Sequence, residues 1–291
     1  VMDDIPGMFV FLGSGNEEKG LNYGYRINSD KVKNLAYCGY GRLNLSTSNI
    51  KAAINYFMEA LKYFKDTDSD NYMAVCNNLG TAHGQLRQYE ESLKYFTPFI
   101  NDKVKAENPD MYYTFLLNIA NAYNFLGKYS EAEKSLFAVL EFNKLTKNPE
   151  EIAGVLINLG NMEKSRGNFN QALQYFQESR EYISQSHNVH QDILADQGIG
   201  VIYSLLHEDQ KAIRYLKSAL KKADTLNLKY ELLLSYGNLA EIYERQGNYK
   251  LALENYKKQL EADQSPFAVY VNNIVIKQLA SQLTNPWLYA F

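Results

Sequence analysis

The residue types most often used for chemistry are sparse in this sequence. Among 291 residues there are four histidines and two cysteines, and no Walker loop, nucleophile elbow or HExxH motif occurs. His187 and His190 have a spacing seen in metal sites, but only Asp192 lies close by, which is too few ligands for a typical metal centre. We therefore expect no catalytic residue, no metal, no cofactor and no enzymatic activity.

Asparagine is the polar residue whose spacing is most regular. Asn78, Asn118, Asn158 and Asn238 are separated by multiples of 40 positions. An asparagine side chain offers two donors and an acceptor, so it can pair with the N–H and C=O groups of an extended peptide without contacting that peptide's side chains. Together with polar residues three positions further on, they form a predicted peptide-binding set: Asn78, Thr81, Asn118, Asn121, Asn158, Asn161, Asn238 and Glu241. Alternatively, these asparagines bond to an adjacent helix or to water and stabilise the packing.

These asparagines belong to a repeat of 40 residues. Each copy has a small residue two positions after the asparagine site, a second small residue twelve positions later and a bulky one sixteen positions later. The first small residues are Gly80, Ala120, Gly160, Gly200 and Ala240, and the bulky residues are Phe96, Leu136, Phe176, Leu216 and Tyr256. An earlier copy contains Gly41, Ala53 and Phe57. Self-similarity at such a period indicates a repeat architecture.

Each copy contains two apolar stretches of helical period with a polar break between them, for example Gly127-Lys128 or Gly167-Asn168. Between copies, Asn108-Pro109-Asp110 and Asn148-Pro149 provide an N-cap residue followed by proline at the first helical position. The unit is therefore predicted to be a helix–turn–helix hairpin. Its glycine or alanine allows two helix axes to approach, and the bulky residue fills the space between them.

This pattern resembles the tetratricopeptide repeat, as in Asn118-Ile119-Ala120-Asn121-Ala122-Tyr123 followed by Ala132 and Leu136. The resemblance covers residues 31–264, and the long repeat is similar to those of kinesin light chains, LGN/Pins adaptors and Rap or NprR peptide receptors. It implies an all-α fold, an α-solenoid with a right-handed superhelix of about six hairpins, whose first helices line a concave groove. It also implies a non-enzymatic scaffold that holds an extended peptide or protein segment in that groove.

The two ends of the chain lie outside the repeat. Residues 1–30 include an apolar run and a glycine turn, Pro6 to Asn16, which predict a strand and turn. This segment resembles the end of the catalytic domain in M20-type amidohydrolases, but Asn22 stands near the place of a metal-binding histidine. Residues 265–291 are predicted to form a capping helix and an apolar tail. Two alternatives follow: the sensor region of a bacterial regulator that responds to signalling peptides, and an inactive amidohydrolase remnant fused to the repeats.

Composition narrows the choice of partner. The formal net charge is −3, so the sequence indicates no general attraction to nucleic acid or to an anionic membrane. Lys164 and Arg245 are the only basic residues at or near the predicted groove positions, which argues against a clamp for an acidic C-terminus. Two cysteines do not make a disulfide framework, and no apolar run could span a membrane, so we expect a cytoplasmic protein. The sequence is compatible with a homo-oligomer.

Overall fold

The computed structural model describes residues 30–47 and 49–262. These residues form thirteen α-helices and one short 3-10 helix, and this described part contains no strand. The helices are α1 (Asp30–Ser46), α2 (Ile50–Phe64), α3 (Ser69–Gln85), α4 (Tyr89–Phe96), α5 (Asp102–Glu107), α6 (Pro109–Phe125), α7 (Tyr129–Thr146), α8 (Pro149–Arg166), α9 (Phe169–Ser186), α10 (Val189–Leu205), α11 (Asp209–Thr225), α12 (Lys229–Arg245) and α13 (Tyr249–Ala262). The predicted all-α fold class is confirmed.

Consecutive helices form six hairpins, as the repeat predicts: α1–α2, α3–α4, α6–α7, α8–α9, α10–α11 and α12–α13. The chain divides into two compact units, one that ends at Val139 and one that begins at Leu140. Each unit has its own buried core. In the first, Phe57, Phe64 and Leu79 belong to one buried cluster, and in the second, Ile157, Phe176 and Ile199 belong to another.

The small residues of the repeat provide space for the bulky ones, as predicted. A methyl group placed on Gly80 of α3 would come within 2.3 Å of the Phe96 ring of α4, far inside van der Waals contact. Gly160 has the same relation to Phe176 at 3.0 Å. Phe96 and Phe176 are almost completely buried. In these two hairpins the repeat therefore encodes close helix packing, because only glycine leaves room for the phenylalanine ring.

Two kinds of residue make the sharp turns inside the hairpins. Gly127, Gly167 and Gly247 have φ values of 72°, 89° and 72°, the left-handed conformation that glycine adopts without strain. In the second and fifth hairpins the same role falls to Arg87 and His207, with φ values of 60° and 58°. The polar breaks of the sequence are therefore turns of one geometry, although the residue type differs.

The new helices begin where the sequence predicts. The side chain of Asn108 accepts a hydrogen bond from the backbone N–H of Met111, and α6 starts at Pro109. The side chain of Asn148 caps α8 in the same way. These caps satisfy backbone donors that have no partner within the helix.

One hairpin departs from the repeat. Its second helix, α4, has only eight residues and is followed by a 3-10 turn (Thr97–Phe99) and by the short helix α5. Pro98 lies in that turn, where its missing N–H and fixed φ oppose continuation of an α-helix. Phe99 then stacks on Phe115 of α6, with ring centroids 4.7 Å apart. The buried stack fixes the path of the chain after the break.

The predictions for the two ends of the chain lie outside the described residues. These are the strand and turn within residues 1–30, with the amidohydrolase resemblance, and the capping helix and tail of residues 265–291. Both stay predictions.

Candidate functional site

A groove in the first unit brings together several of the predicted binding residues. It is a cavity of about 260 Å³ bounded by α3, α4 and α6. We call it the α3–α6 groove and define it by its lining residues: Gly80, Thr81, Gly84, Gln85, Tyr89, Ser92, Phe96, Asn118, Asn121, Ala122 and Phe125. Three of the eight predicted residues, Thr81, Asn118 and Asn121, lie in this lining. None of the lining side chains carries a formal charge.

The floor and the mouth of this groove differ in character. Gly80, Ser92, Phe96 and Ala122 are buried and form its floor. The Ser92 hydroxyl donates a hydrogen bond to the Gly80 carbonyl at 2.6 Å, so its donor is already used. At the mouth, 67% of Phe125 is exposed. The floor therefore offers a ligand an essentially apolar surface, and a large apolar side chain is exposed to solvent at the mouth.

Phe125 is held in place by Tyr89. The two rings stack with centroids 4.8 Å apart and an angle of 4° between their planes. Tyr89 is the first residue of α4 and is not among the predicted site residues, because those all lie on the first helix of a hairpin. A signal was present, since Tyr129, Phe169 and Tyr249 also open second helices. The stack fixes an aromatic wall on one side of the groove.

The four predicted residues of the first unit have different hydrogen-bonding states. Asn118 donates from Nδ2 to Oδ1 of Asn77 at 2.8 Å, which ties α6 to α3. The Thr81 hydroxyl donates to the carbonyl of Asn77 in its own helix. Asn78 and Asn121 are half-buried, and their side chains make no hydrogen bond within the described residues. Asn118 and Thr81 therefore have structural bonds, whereas Asn78 and Asn121 keep their full capacity for a ligand.

The predicted residues of the second unit show the same division. Asn161 accepts a hydrogen bond from Nζ of Lys164 at 2.9 Å, and Asn238 donates to the carbonyl of Leu234 at 2.7 Å. Glu241 is exposed. Asn158 is half-buried, and its amide has no hydrogen-bond partner in the part of the chain that the structure describes. Asn158 is thus the amide of this unit that is best placed to take a ligand.

The fifth hairpin has Gly198 where the second, third, fourth and sixth hairpins have asparagine, and its packing explains the difference. A methyl group on Gly198 would lie 2.3 Å from the Phe176 ring. Phe176 therefore fills the space above Gly198 as well as that beside Gly160. The structure shows that a ring of the protein occupies this space.

The two basic residues near the predicted positions are engaged with other parts of the protein. Burial lowers the pKa of the Lys164 ammonium, whose Nζ lies against Asn161. Arg245 forms an ion pair with Asp209 and donates to the carbonyl and hydroxyl of Ser204, each at 3.3 Å. Partial burial opposes ionisation of Asp209, but the hydrogen bonds from Arg245 and Gln246 lower its pKa. Both cations therefore have structural contacts that compete with a bound carboxylate.

The histidines and cysteines have surroundings that account for them structurally. His190 lies 2.8 Å from a carboxylate oxygen of Glu231, and His187 adopts φ 54° at the end of α9. No group of three or more potential metal ligands is found among the described residues. Cys38 and Cys76 are buried free thiols, and desolvation raises the pKa of each to about 11. A high pKa opposes thiolate chemistry. No helix in the described ranges is long and apolar enough to cross a membrane.

Family models match most of the helical region. Two models, both described as tetratricopeptide repeat, match residues 151–225 and residues 35–67, 74–97, 113–144 and 233–266. The chain belongs to the tetratricopeptide repeat family. Its fold class is accordingly that of α-solenoid proteins, as the sequence predicts. A search of curated protein sequences found no match to this tetratricopeptide repeat protein.

Solved structures with a similar fold include the following three proteins. A tetratricopeptide repeat protein from Parabacteroides merdae ATCC 43184 is 16% identical, with a TM-score of 0.71 over 96% of this chain and 98% of that one. The apo form of RapI is 18% identical, with a TM-score of 0.68 over 85% and 89% of the two chains. NprR in complex with its cognate peptide NprX is 15% identical, with a TM-score of 0.64 over 100% and 85%. At these identities the likeness concerns the fold.

Proposed function

We propose that this tetratricopeptide repeat protein is a non-enzymatic scaffold that holds an extended peptide or protein segment against the first helices of its hairpins. One observation carries the proposal: Asn121 is half-buried, has no hydrogen-bond partner within the described residues, and lines the uncharged α3–α6 groove. The polar atoms of Asn121 are not among the fully buried ones that lack a partner, so water can reach them. A ligand backbone can replace that water and bond to both the donor and the acceptor of the amide.

A peptide main chain suits these amides. Each peptide unit presents one donor and one acceptor, and an asparagine side chain can bind both. Asn78 in the first unit and Asn158 in the second have the same unpartnered state as Asn121. The ligand is therefore recognised in part through its backbone, independently of its sequence.

The likeness to RapI and to peptide-bound NprR supports a narrower version of this function. In that version, the chain is the sensor region of a bacterial regulator that responds to a signalling peptide, and its effector acts elsewhere. The buried thiols of Cys38 and Cys76 suit a reducing compartment, so we place the binding event in the cytoplasm. Because Lys164 and Arg245 are engaged, we expect neutral peptides to bind better than acidic C-terminal ones.

The test compares two asparagines on one helix. Peptides that co-purify with the protein are identified by mass spectrometry, synthesised with a fluorescent label and titrated by fluorescence anisotropy. We expect Asn121→Ala to raise the Kd by about fivefold, since a net hydrogen bond contributes about 1 kcal/mol, and to leave the free energy of unfolding unchanged. Asn118→Ala should lower the free energy of unfolding, because it removes the bond to Asn77.

Two results would contradict the proposal. One is that Asn121→Ala lowers the free energy of unfolding by as much as Asn118→Ala does, which would assign Asn121 to the packing of the helices. The other is that neither the co-purified peptides nor short random peptides bind the unmodified chain.

A further inference from the structure

We propose that the α3–α6 groove is a specificity pocket for one aromatic side chain of the bound segment. This inference rests on the proposed function and adds to it, since the amides recognise a backbone whereas the pocket selects a residue type. Its evidence is the size of the cavity, the absence of charge in its lining, and an exposed aromatic ring at its mouth.

The volume of the groove suits a single ring. Its cavity measures about 260 Å³, whereas a cavity of about 150 Å³ in another protein is enough to hold benzene and cavities for drug-sized ligands begin at about 300 Å³. A phenyl or phenol group therefore fits, and the larger indole group leaves less of the space unfilled. A ligand side chain as small as a methyl group would leave most of the cavity filled with water. The apolar floor offers that water few hydrogen-bond partners.

The lining excludes charged side chains. A charge that enters the cavity would lose its hydration and would meet the buried Phe96 and Ala122 in place of an opposite charge. The Ser92 hydroxyl on the floor is already bonded to the Gly80 carbonyl. The other polar lining residues are half-buried or exposed: Thr81, Gln85, Tyr89, Asn118 and Asn121. Thr81 and Asn118 are bonded to Asn77, so Gln85 and Asn121 are better placed for the peptide backbone or for a phenol hydroxyl.

The exposed ring of Phe125 indicates what the ligand covers. A phenylalanine that is 67% exposed leaves a large apolar surface in water, and here its orientation is set by the stack on Tyr89. Aromatic pairs in offset or edge-to-face arrangements contribute about 0.5–1.5 kcal/mol beyond the burial of their area. A ligand ring in the groove would bury the exposed face of Phe125 and gain this interaction.

Gly84 provides a way to close the pocket without touching the amides. It lines the groove, and a methyl group placed on it would meet only the Ser92 hydroxyl, at 3.7 Å. A leucine at this position has room to extend into the cavity. Gly84→Leu should therefore fill the pocket while Asn121 remains available, and Gly84→Ala serves as the matched control because it adds a single methyl group.

The experiment uses a displayed library of short random peptides, panned on the full chain and on the Gly84→Leu, Gly84→Ala and Asn121→Ala variants. We expect the unmodified chain to enrich peptides with Phe, Tyr or Trp at one fixed position. For an enriched peptide, replacement of that residue by alanine should raise the Kd by about ten- to a hundredfold, the range that apolar pockets achieve. In the Gly84→Leu variant, the same alanine replacement in the peptide should raise the Kd by about threefold or less. The Asn121→Ala variant should raise the Kd of the enriched peptide and of its alanine-substituted form by the same factor.

The outcomes separate the pocket from the function. Enriched peptides without a fixed aromatic position would overturn the pocket but leave the scaffold function standing. An aromatic preference that persists in Gly84→Leu, with the helical circular dichroism unchanged, would place the selective contact elsewhere. Failure of the unmodified chain to enrich any peptide would contradict the scaffold function, and the pocket with it.

Discussion

Asn118 and Asn121 lie one helical turn apart on α6 and have the same side chain, yet their surroundings give them different roles. Asn118 is bonded to Asn77, a residue 41 positions earlier in the chain, and Asn121 has no partner within the described residues. An asparagine is used for packing where a neighbouring helix offers a polar group at the right distance, and it is free for a ligand where none is offered. The sequence pattern predicts both positions equally.

The glycines of α3 allow a test of the packing rule at single residues. We expect Gly80→Ala to lower the free energy of unfolding by about 1–3 kcal/mol, because the new methyl group overlaps the buried Phe96 ring. Gly84→Ala, one turn later on the same helix, should raise it by about 0.5–1 kcal/mol, because alanine favours the helix and its methyl group meets no atom closer than 3.7 Å.

Chemical denaturation followed by circular dichroism measures both changes. Both variants replace glycine by alanine in the same helix. Any difference between their free energies of unfolding therefore comes from the space available around each new methyl group. Equal effects of the same sign would show that helix propensity, and not the contact with Phe96, decides the outcome at Gly80.

At the scale of helices, much of the fold follows from the repeat. The 40-residue spacing predicts six hairpins, and the Asn-Pro pairs at 108 and 148 predict helix starts, all of which the structure contains. The break after α4 and the short helix α5 were not predicted, since the spacing of the repeat continues through them. There a local effect, Pro98, overrides the period.

The candidate site is less predictable than the fold. The register of the repeat indicates which side chains share a face of a helix, because that depends only on helical geometry. It does not indicate which polar group of another helix lies within hydrogen-bonding distance. The contact of Arg245 with Ser204, 41 positions away, depends on how two hairpins pack. The same holds for the Tyr89–Phe125 stack, which completes the groove.

The helices of the second unit are joined by a buried ionic cluster that the repeat does not predict. Asp196 of α10 is 1% exposed and receives hydrogen bonds from Arg180 of α9 at 2.8 Å and from Lys222 of α11 at 2.7 Å. Lys222 also pairs with Asp192 at 2.6 Å. A buried carboxylate is tolerated only with such partners, because desolvation of an unpaired charge is very unfavourable.

Removing the cations of this cluster and removing its buried carboxylate should lower the free energy of unfolding by different amounts. Replacing both cations, Arg180→Met with Lys222→Met, leaves Asp196 buried without a cation and should lower the free energy of unfolding by about 3–5 kcal/mol. Asp196→Ala should lower it by less than half as much, since Arg180 and Lys222 are partly exposed and can turn toward water. Thermal and chemical denaturation of both variants test this order. A larger loss for Asp196→Ala would show that the cations, and not the carboxylate, carry the desolvation cost.

At the scale of the whole molecule, the two units use the same repeat positions differently. The position five residues after the small residue holds Phe125 in the first unit and Leu205 in the second, and both are exposed apolar side chains. Phe125 stands beside an open cavity, whereas the space above Gly198 in the same helix as Leu205 is filled by Phe176. The first unit therefore supplies the predicted side-chain selectivity. Under the proposed function, Asn158 of the second unit is a further amide for the ligand backbone.

The charge distribution predicts how binding responds to salt. The lining of the α3–α6 groove has no formal charge, and the net charge of the chain is only −3. Raising the NaCl concentration from about 0.1 M to 1 M shortens the Debye length from about 10 Å to 3 Å and removes most long-range attraction between exposed charges. For a neutral peptide with an aromatic residue, we expect the Kd to change by about twofold or less over this range. A peptide of the same length with several acidic residues serves as the control. A tenfold weakening of the neutral peptide would mean that ion pairs hold the ligand, and would move the binding surface away from this groove.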